Sequence, residues 1–281
     1  AARAGGEFDD RAPDVVIDAS GRGRQVARMI DLPTRPGPRD DVAHFAHFSG
    51  FGWDEAPGQV LIARLANGWS WRIPLRERMS VGIVLDRAAA AALGDTPEAR
   101  LDAAIARDPA FGESGRAARR LTQVVTYSNY QLTTARGHGR GWALVGDALG
   151  FVDPMLSPGV FLAIWSADRL VHALTPTIRR GVAPGPALDR YTAEFHHMLA
   201  AWTELIDSIY EGKLFGLYRV GTVMVRTHNS FFMRGMERHI GRNIAGMAAG
   251  ARTRSRYSRG LVRFLAKHSF AEIDPRDFAV R

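Results

Sequence analysis

Apolar positions change their spacing several times along the chain. The run Asp14-Val-Val-Ile-Asp-Ala-Ser-Gly21 is short, continuous and ends on glycine, which predicts a buried strand followed by a tight turn. Three β-prone stretches lie between Val42 and Asp86: His44 to Phe51, Gln59 to Leu65, and Trp69 to Leu75 continuing through Met79 to Leu85. Turn signals at Pro57-Gly58, Asn67-Gly68 and Arg76-Glu77-Arg78 separate them, so an antiparallel meander is expected. Leu101 and Ile105, with Pro97 near the first helical position, predict a helix over Thr96 to Arg107. A further extended run, Thr122 to Thr134, leads into a glycine turn at 137–141.

Ala143 to Val145 then reads as a buried parallel strand, and Pro154, Ser157, Pro158 and Gly159 open a helix expected to reach about Leu174. From Pro186 onward the period becomes helical. Tyr191, Phe195, Met198, Leu199, Trp202, Leu205, Ile206 and Ile209 fall on one stripe, read as a core face. Strands mixed with helices in this order predict an α/β fold with α+β character.

Composition bounds the chemistry. The 281 residues are 46% apolar, enough for one large or two modest domains. Cysteine is absent, which excludes disulfides, thiolate metal sites and cysteine nucleophiles. No apolar run reaches the roughly 18 residues of a membrane span, and no signal-peptide core opens the chain, so a soluble, cytoplasmic protein is expected. The formal charge of +8 rests on arginine, with Lys213 and Lys267 the two lysines. Arg252, Arg254, Arg256 and Arg259 mark its densest stretch, readable either as a docking patch for an acidic partner or as a solvated helix face.

The sharpest local pattern is Trp142-Ala-Leu-Val-Gly-Asp147 followed by the helix opening at Pro154 to Val160. Gly146 lets backbone approach a ligand, Asp147 places a carboxylate at the strand end, and a helix start offers free N–H groups to an anion or an electron-rich ring edge. The turn Gly21-Arg-Gly-Arg-Gln-Val26 lacks the third glycine of a dinucleotide fingerprint, so Ala19, Ser20 and Gly21 are read either as a secondary strand-end turn near a cofactor or as a plain tight turn. Trp69 and Trp71 share one strand face and form an aromatic wall, whether as a core pair or as a screen beside a cofactor. His196 and His197 are adjacent and point apart on a helix, which disfavours a metal pair. No Ser-His-Asp order with a nucleophile elbow is present.

The blocks Val16-Ile-Asp-Ala-Ser-Gly-Arg22, Trp69-Ser-Trp-Arg-Ile-Pro74 and Gly146 to Val160, in this order, resemble the flavin-dependent halogenases and their relatives in the FAD-dependent aromatic monooxygenase superfamily. The resemblance implies an FAD-binding Rossmann-like domain (1–35 and 136–180) that is incomplete, an inserted antiparallel substrate sheet with one helix (36–135), and a helical C-terminal region (181–281). It implies that Asp147 binds the ribityl chain of FAD and that the turn through Pro154, Ser157, Gly159 and Val160 packs on the flavin ring, with Gly146 and the Ala19-Ser20-Gly21 turn nearby. Trp69, Trp71 and Pro74 would line the partition between flavin and substrate.

Four departures from the family pattern stand out. No G-x-G-x-x-G segment precedes the first strand, so the expectation is either a missing N-terminal portion or an FAD that is not held normally. The family's halogenating lysine belongs to that portion, and neither lysine here sits in a matching context. Where the family offers two backbone donors to a halide, Pro158 has no N–H, leaving Ser157 and Gly159 as the candidate halide contacts. Leu156 also stands where tryptophan-specific relatives carry an acid.

The expected activity is therefore that of a halogenase-like FAD-dependent oxidoreductase or monooxygenase, with a flavin hydroperoxide acting on an aromatic or carrier-bound substrate. A true halogenase is the alternative. The expected partners are a flavin reductase and an acidic carrier protein at the arginine-rich region, with nucleic acid disfavoured by the lack of a stacking platform. A second class of reading makes the chain a cofactor-free binding module acting through those arginines.

Overall fold

A computed structural model describes residues 13–51, 58–65, 67–107, 115, 118–128, 131–181, 184–227 and 231–268; the polar lead-in over 1–12 and Pro57 of the first turn signal lie outside them. In chain order the elements are β1 (Val16–Asp18), α1 (Gln25–Met29), β2 (Thr34–Pro36), β3 (Asp41–Ser49), β4 (Leu61–Leu65), β5 (Gly68–Pro74) and β6 (Met79–Asp86). Then follow α2 (Arg87–Ala91), α3 (Pro97–Arg107), β7 (Arg119–Arg120), β8 (Val125–Ser128), β9 (Leu132–Thr134), β10 (His138–Gly139), β11 (Trp142–Leu144) and β12 (Gly150–Phe151). The rest is helical: α4 (Pro158–Arg180), α5 (Gly185–Tyr210), α6 (Lys213–Thr227), α7 (Phe231–Ala248) and α8 (Arg256–His268). This is the mixed α/β architecture expected from the alternation of periods.

The chain divides into two compact units, one made of residues 1–37, 131–206 and 243–259 and the other of 38–130, 207–242 and 260–281. In the first, β1 runs parallel to β11 with Asp18 opposite Leu144, and β10 completes that sheet. A second small sheet has the order β12-β9-β2. The helical stripe of α5 is buried as its spacing predicts, and Tyr191 ties it to the sheet by donating its hydroxyl to the Leu144 carbonyl at 2.6 Å. Gly150 faces the same helix: a Cβ there would stand 3.1 Å from Leu199 and 3.4 Å from the Phe195 ring.

In the second unit, six strands pair in the order β4-β5-β6-β3-β7, with β8 also on β3. Alternation along β3 and β6 sends Val42, Ala46, Phe48, Val81, Ile83 and Leu85 to one face, where Leu101, Ala104 and Ile105 of α3 close the core. The opposite face carries Phe45, Trp69, Trp71 and Tyr127, a sheet surface of aromatic rings.

Four sequence expectations need correction. The first strand is not buried: Val16 and Ile17 are 43% and 48% exposed, because β1 lies at the edge of its sheet among the described residues. The meander holds for β4, β5 and β6, but β3 pairs with β6 instead of β4, since strand neighbours are chosen by complementary faces and not by chain order. The extended run from Thr122 to Thr134 is split, β8 joining the large sheet and β9 the small one. Finally, α4 passes through Pro176 and ends at Arg180 with Gly181 left-handed at φ 66°. Pro176 is exposed there, so water can take up the carbonyl that loses its donor.

Candidate cofactor and substrate site

The carboxyl ends of two neighbouring parallel strands form the floor of the site, the place where open α/β sheets receive ligands. The amide of Val145 donates to the Asp18 carbonyl at 3.1 Å, so the two chains stay in register up to the point where both turn. Gly21 turns with φ 60° and Gly146 with φ 56°, and the two turns pack against each other. A Cβ at Gly21 would meet nothing within 4 Å; the left-handed backbone alone favours glycine there. At Gly146 it would press on Ala163 of α4 at 3.3 Å. The same turn is pinned to α4 through Ser166, whose buried hydroxyl accepts from the Gly146 amide at 2.8 Å and donates to the Ala163 carbonyl at 3.1 Å.

Two aspartates at the strand ends have opposite electrostatics. Burial by itself would raise the Asp18 carboxyl, but hydrogen bonds from the Ser20 hydroxyl and from the amides of Ser20, Val26 and Ala27 outweigh it and hold the group below its ordinary value. The Ser20 hydroxyl lies 2.5 Å from the carboxylate, its amide 3.0 Å and the Val26 amide 2.8 Å. Asp18 is thus consumed in shaping the turn. Asp147 is raised by burial, with only the charge of Arg22 pulling it down. Among the described residues no hydrogen bond reaches the Asp147 carboxylate, so a half-buried acceptor is left for a ligand's hydroxyl groups.

The third wall is the entry to α4. Buried Asp153 accepts from the Met155 amide at 2.8 Å and fixes a tight turn over Pro154–Leu156. Ser157 follows in the left-handed conformation at φ 51°, its N–H donating to the Pro154 carbonyl at 2.8 Å. Pro158 occupies the first helical position and no side chain caps the helix, so the N–H groups of Gly159 and Val160 have no intrahelical acceptor. A Cβ on Gly159 would come within 3.3 Å of Phe151 and 4.0 Å of the Asp147 carboxylate. The structure therefore brings Ala19, Ser20, Gly21, Gly146, Asp147, Pro154, Ser157, Gly159 and Val160 into one neighbourhood.

Trp69, Trp71 and Pro74 belong to the other unit, on β5. Trp69 is buried and its Nε1 donates to the Tyr210 hydroxyl at 2.9 Å; Trp71 Nε1 donates to Ser80 Oγ at 3.3 Å. The two indoles lie 5.6 Å apart, Phe45 lies 5.6 Å from Trp71, and Tyr127 continues the row 5.8 Å from Phe45. Sequence reasoning found the indoles but missed what seats them. Gly82 lies directly across from Trp71, and a Cβ there would stand 2.2 Å from the ring; a glycine interrupting an apolar strand was the available signal.

Other candidates acquire partners of their own. His196 Nε2 bonds the Thr134 carbonyl at 2.8 Å, while His197 is exposed. Within the arginine-rich stretch, Arg252 donates to Asn243 at 3.0 Å and Arg259 pairs with Glu204, so these two serve the packing of the helical region. Arg254 and Arg256 remain exposed. No helix among the described residues is long and apolar enough to cross a membrane.

Residues 13–213, which contain all three walls and the aromatic strand, match the model of the tryptophan halogenase family. The chain belongs to that family. This tryptophan halogenase family member is 28% identical over 210 residues to the tryptophan 2-halogenase of Chondromyces crocatus, covering 70% of the chain and 39% of the relative. It is 24% identical over 205 residues to the 1H-pyrrole-2-carbonyl-[peptidyl-carrier protein] chlorinase of Pseudomonas fluorescens, covering 70% and 46%. Among solved structures, the myxobacterial chondrochloren halogenase CndH, described as a variant of FAD-dependent halogenases, is 28% identical with a TM-score of 0.66 over 70% of the chain and 47% of its own. The flavin-dependent brominase Bmp2 shares the fold at 19% identity, with a TM-score of 0.71 over 92% and 63%. The chain spans less than half the length of these two curated relatives.

Proposed function

We propose that this family member, as part of its complete protein, is a halogenase-like FAD-dependent oxidoreductase of the monooxygenase type acting on an aromatic or carrier-bound substrate. The observation that carries the reading is Asp147: a half-buried carboxylate with no hydrogen-bond partner among the described residues, facing the helix entry across the backbone of Gly159. That pairing fits FAD, whose ribityl hydroxyls are donors and whose reduced ring carries negative charge. FAD, when bound, supplies the two-electron chemistry that activates dioxygen.

The chain's own residues divide the remaining work. Asp147 would accept hydrogen bonds from the ribityl chain, and the turn from Pro154 to Val160 would hold the ring, with Ala19, Ser20, Gly21 and Gly146 letting backbone approach closely. The positive end of α4 favours the anionic ring. The resemblance assigns Trp69, Trp71 and Pro74 to the substrate side, and the aromatic row from Trp69 to Tyr127 within its own unit suits a flat organic ring. Relatives named for tryptophan, tetracycline and a carrier-bound pyrrole-2-carbonyl group support an aromatic substrate and admit a tethered one. A flavin reductase is the expected electron source, and Arg254 and Arg256 are the exposed cations that would meet an acidic carrier.

A halide would be held weakly. Pro158 has no N–H and the Ser157 N–H is committed to Pro154, which leaves the Gly159 N–H, aided by the Ser157 hydroxyl. Oxygenation is therefore favoured over halogenation. Flavin absorbance in the purified full-length protein, and its loss in Asp147→Ala, test the cofactor assignment; a full-length protein that binds no FAD overturns it. Product analysis with chloride, bromide and halide-free buffer decides the reaction, since an unchanged oxygenated product removes halogenation.

A further inference from the structure

A groove of about 520 Å³ lies between α4, α5 and the loop that leads from α7 to α8, within one compact unit. None of the residues assigned above to flavin or halide lines it. Its floor is apolar and flat-faced. Phe161 and Trp165, one helical turn apart on α4, present rings backed by Trp202 at 6.0 Å and Phe195 at 6.4 Å, and buried Met198 adds a thioether from α5. The loop is shaped to meet this floor: Gly250 is left-handed at φ 85°, and a Cβ there would stand 2.4 Å from the Phe161 ring.

The rim is charged and asymmetric. Arg254 holds its guanidinium 5.8 Å over the Trp165 ring, and among the described residues it makes no ion pair. Arg169 also lines the groove, though it shares its charge with neighbouring Asp168 at 3.3 Å, both side chains about half exposed. Among the described residues Glu194 supplies the only carboxylate in the lining. A guanidinium parked on an indole face is pre-oriented for a planar carboxylate, which it can meet with two parallel N–H groups while the rest of the ligand lies on the ring. A second anionic group would meet Glu194, so a monoanion is selected over a dianion.

We propose that this groove is a binding site for a small planar aromatic monocarboxylate. The volume suits a one-ring ligand. The proposal is independent of flavin binding, and its test runs on the chain without added FAD.

Titration calorimetry with benzoate is the direct experiment, with cyclohexanecarboxylate and benzylamine as comparators. Saturable binding of benzoate is expected, at least tenfold tighter than cyclohexanecarboxylate, with none for benzylamine. Arg254→Gln, on an exposed side chain, and Trp165→Leu should each weaken benzoate at least tenfold with the circular dichroism spectrum unchanged, while Glu194→Gln should leave it equal or tighten it severalfold. Ile178→Ala, on an exposed side chain of α4 outside the groove, should have no effect. Benzoate that fails to saturate, that binds Arg254→Gln as well as the parent, or that is lost in Ile178→Ala overturns the assignment. FAD absorbance retained alongside a failed benzoate titration would sink this site and leave the flavin reading standing.

Discussion

The indole N–H of buried Trp69 donates to the hydroxyl of Tyr210, 2.9 Å away and 141 residues later in the chain. That single bond orients the first tryptophan of the wall, and Arg39 covers the other partner with its guanidinium 3.6 Å from the Tyr210 ring. Tyr210→Phe removes the acceptor while keeping the ring, leaving a buried donor unsatisfied. The expected cost is about 1–3 kcal/mol, read as a lower urea midpoint with an unchanged slope.

Gly82 tests the other half of the wall. Gly82→Ala drives a methyl into the Trp71 ring and against the Phe45 Cβ, at 2.2 and 2.6 Å. Overpacking of this kind costs roughly 1–3 kcal/mol, and the displaced indole should change Trp fluorescence and weaken aromatic ligands on the sheet. Gly241→Ala, where a Cβ meets nothing within 4 Å, is the matched control and should leave both readouts unchanged.

Asp147→Asn should move stability and cofactor affinity in opposite directions. Burial raises the folded-state pKa of Asp147 above its unfolded value, so its contribution is present below about pH 4 and is lost as pH rises through the folded value. The flavin-free variant is therefore expected to melt higher than the parent at pH 7. Losing a charged acceptor should meanwhile weaken FAD by about 1.5–3 kcal/mol, roughly tenfold to more than a hundredfold. Melting curves with and without FAD separate the two effects.

Asp18 carries the opposite sign. Its folded-state pKa is lowered, so its stabilisation is complete above about pH 4 and disappears as pH falls through the folded value. Asp18→Ala should flatten the acid side of the stability profile and loosen the Ser20 to Val26 turn, visible as faster amide exchange at Val26.

Pro158→Gly restores a backbone donor beside Gly159. In the full-length protein, halide dependence should appear or strengthen by about 1.5–3 kcal/mol in binding, equivalent to roughly tenfold to a hundredfold or more in affinity. Competition between chloride and bromide in product analysis is the measurement. Identical products from parent and variant in every buffer would show that the missing donor is not what governs halide use.

Much of the site was legible in the sequence because its signals are local. Gly146, Asp147 and the Pro154 to Val160 turn lie within fifteen consecutive residues, and a strand end, a carboxylate and a helix entry follow each other in a fixed order. The pairing of Trp69 with Trp71 on one face needed only the two-residue period of a strand, and the α5 stripe only the period of a helix.

What bonds at a distance was decided by the tertiary structure. Asp18 ends one strand and Asp147 follows the end of its neighbour, yet Asp18 accepts from Ser20 and Val26 while Asp147 has no hydrogen bond among the described residues. β3 pairs with β6, β8 and β9 part company, and Gly82 becomes the seat of an indole, all through contacts between segments far apart in the chain. Periodicity states which face of an element must be covered; only the folded chain states by what, because many apolar faces are complementary and the packing that fills space selects among them.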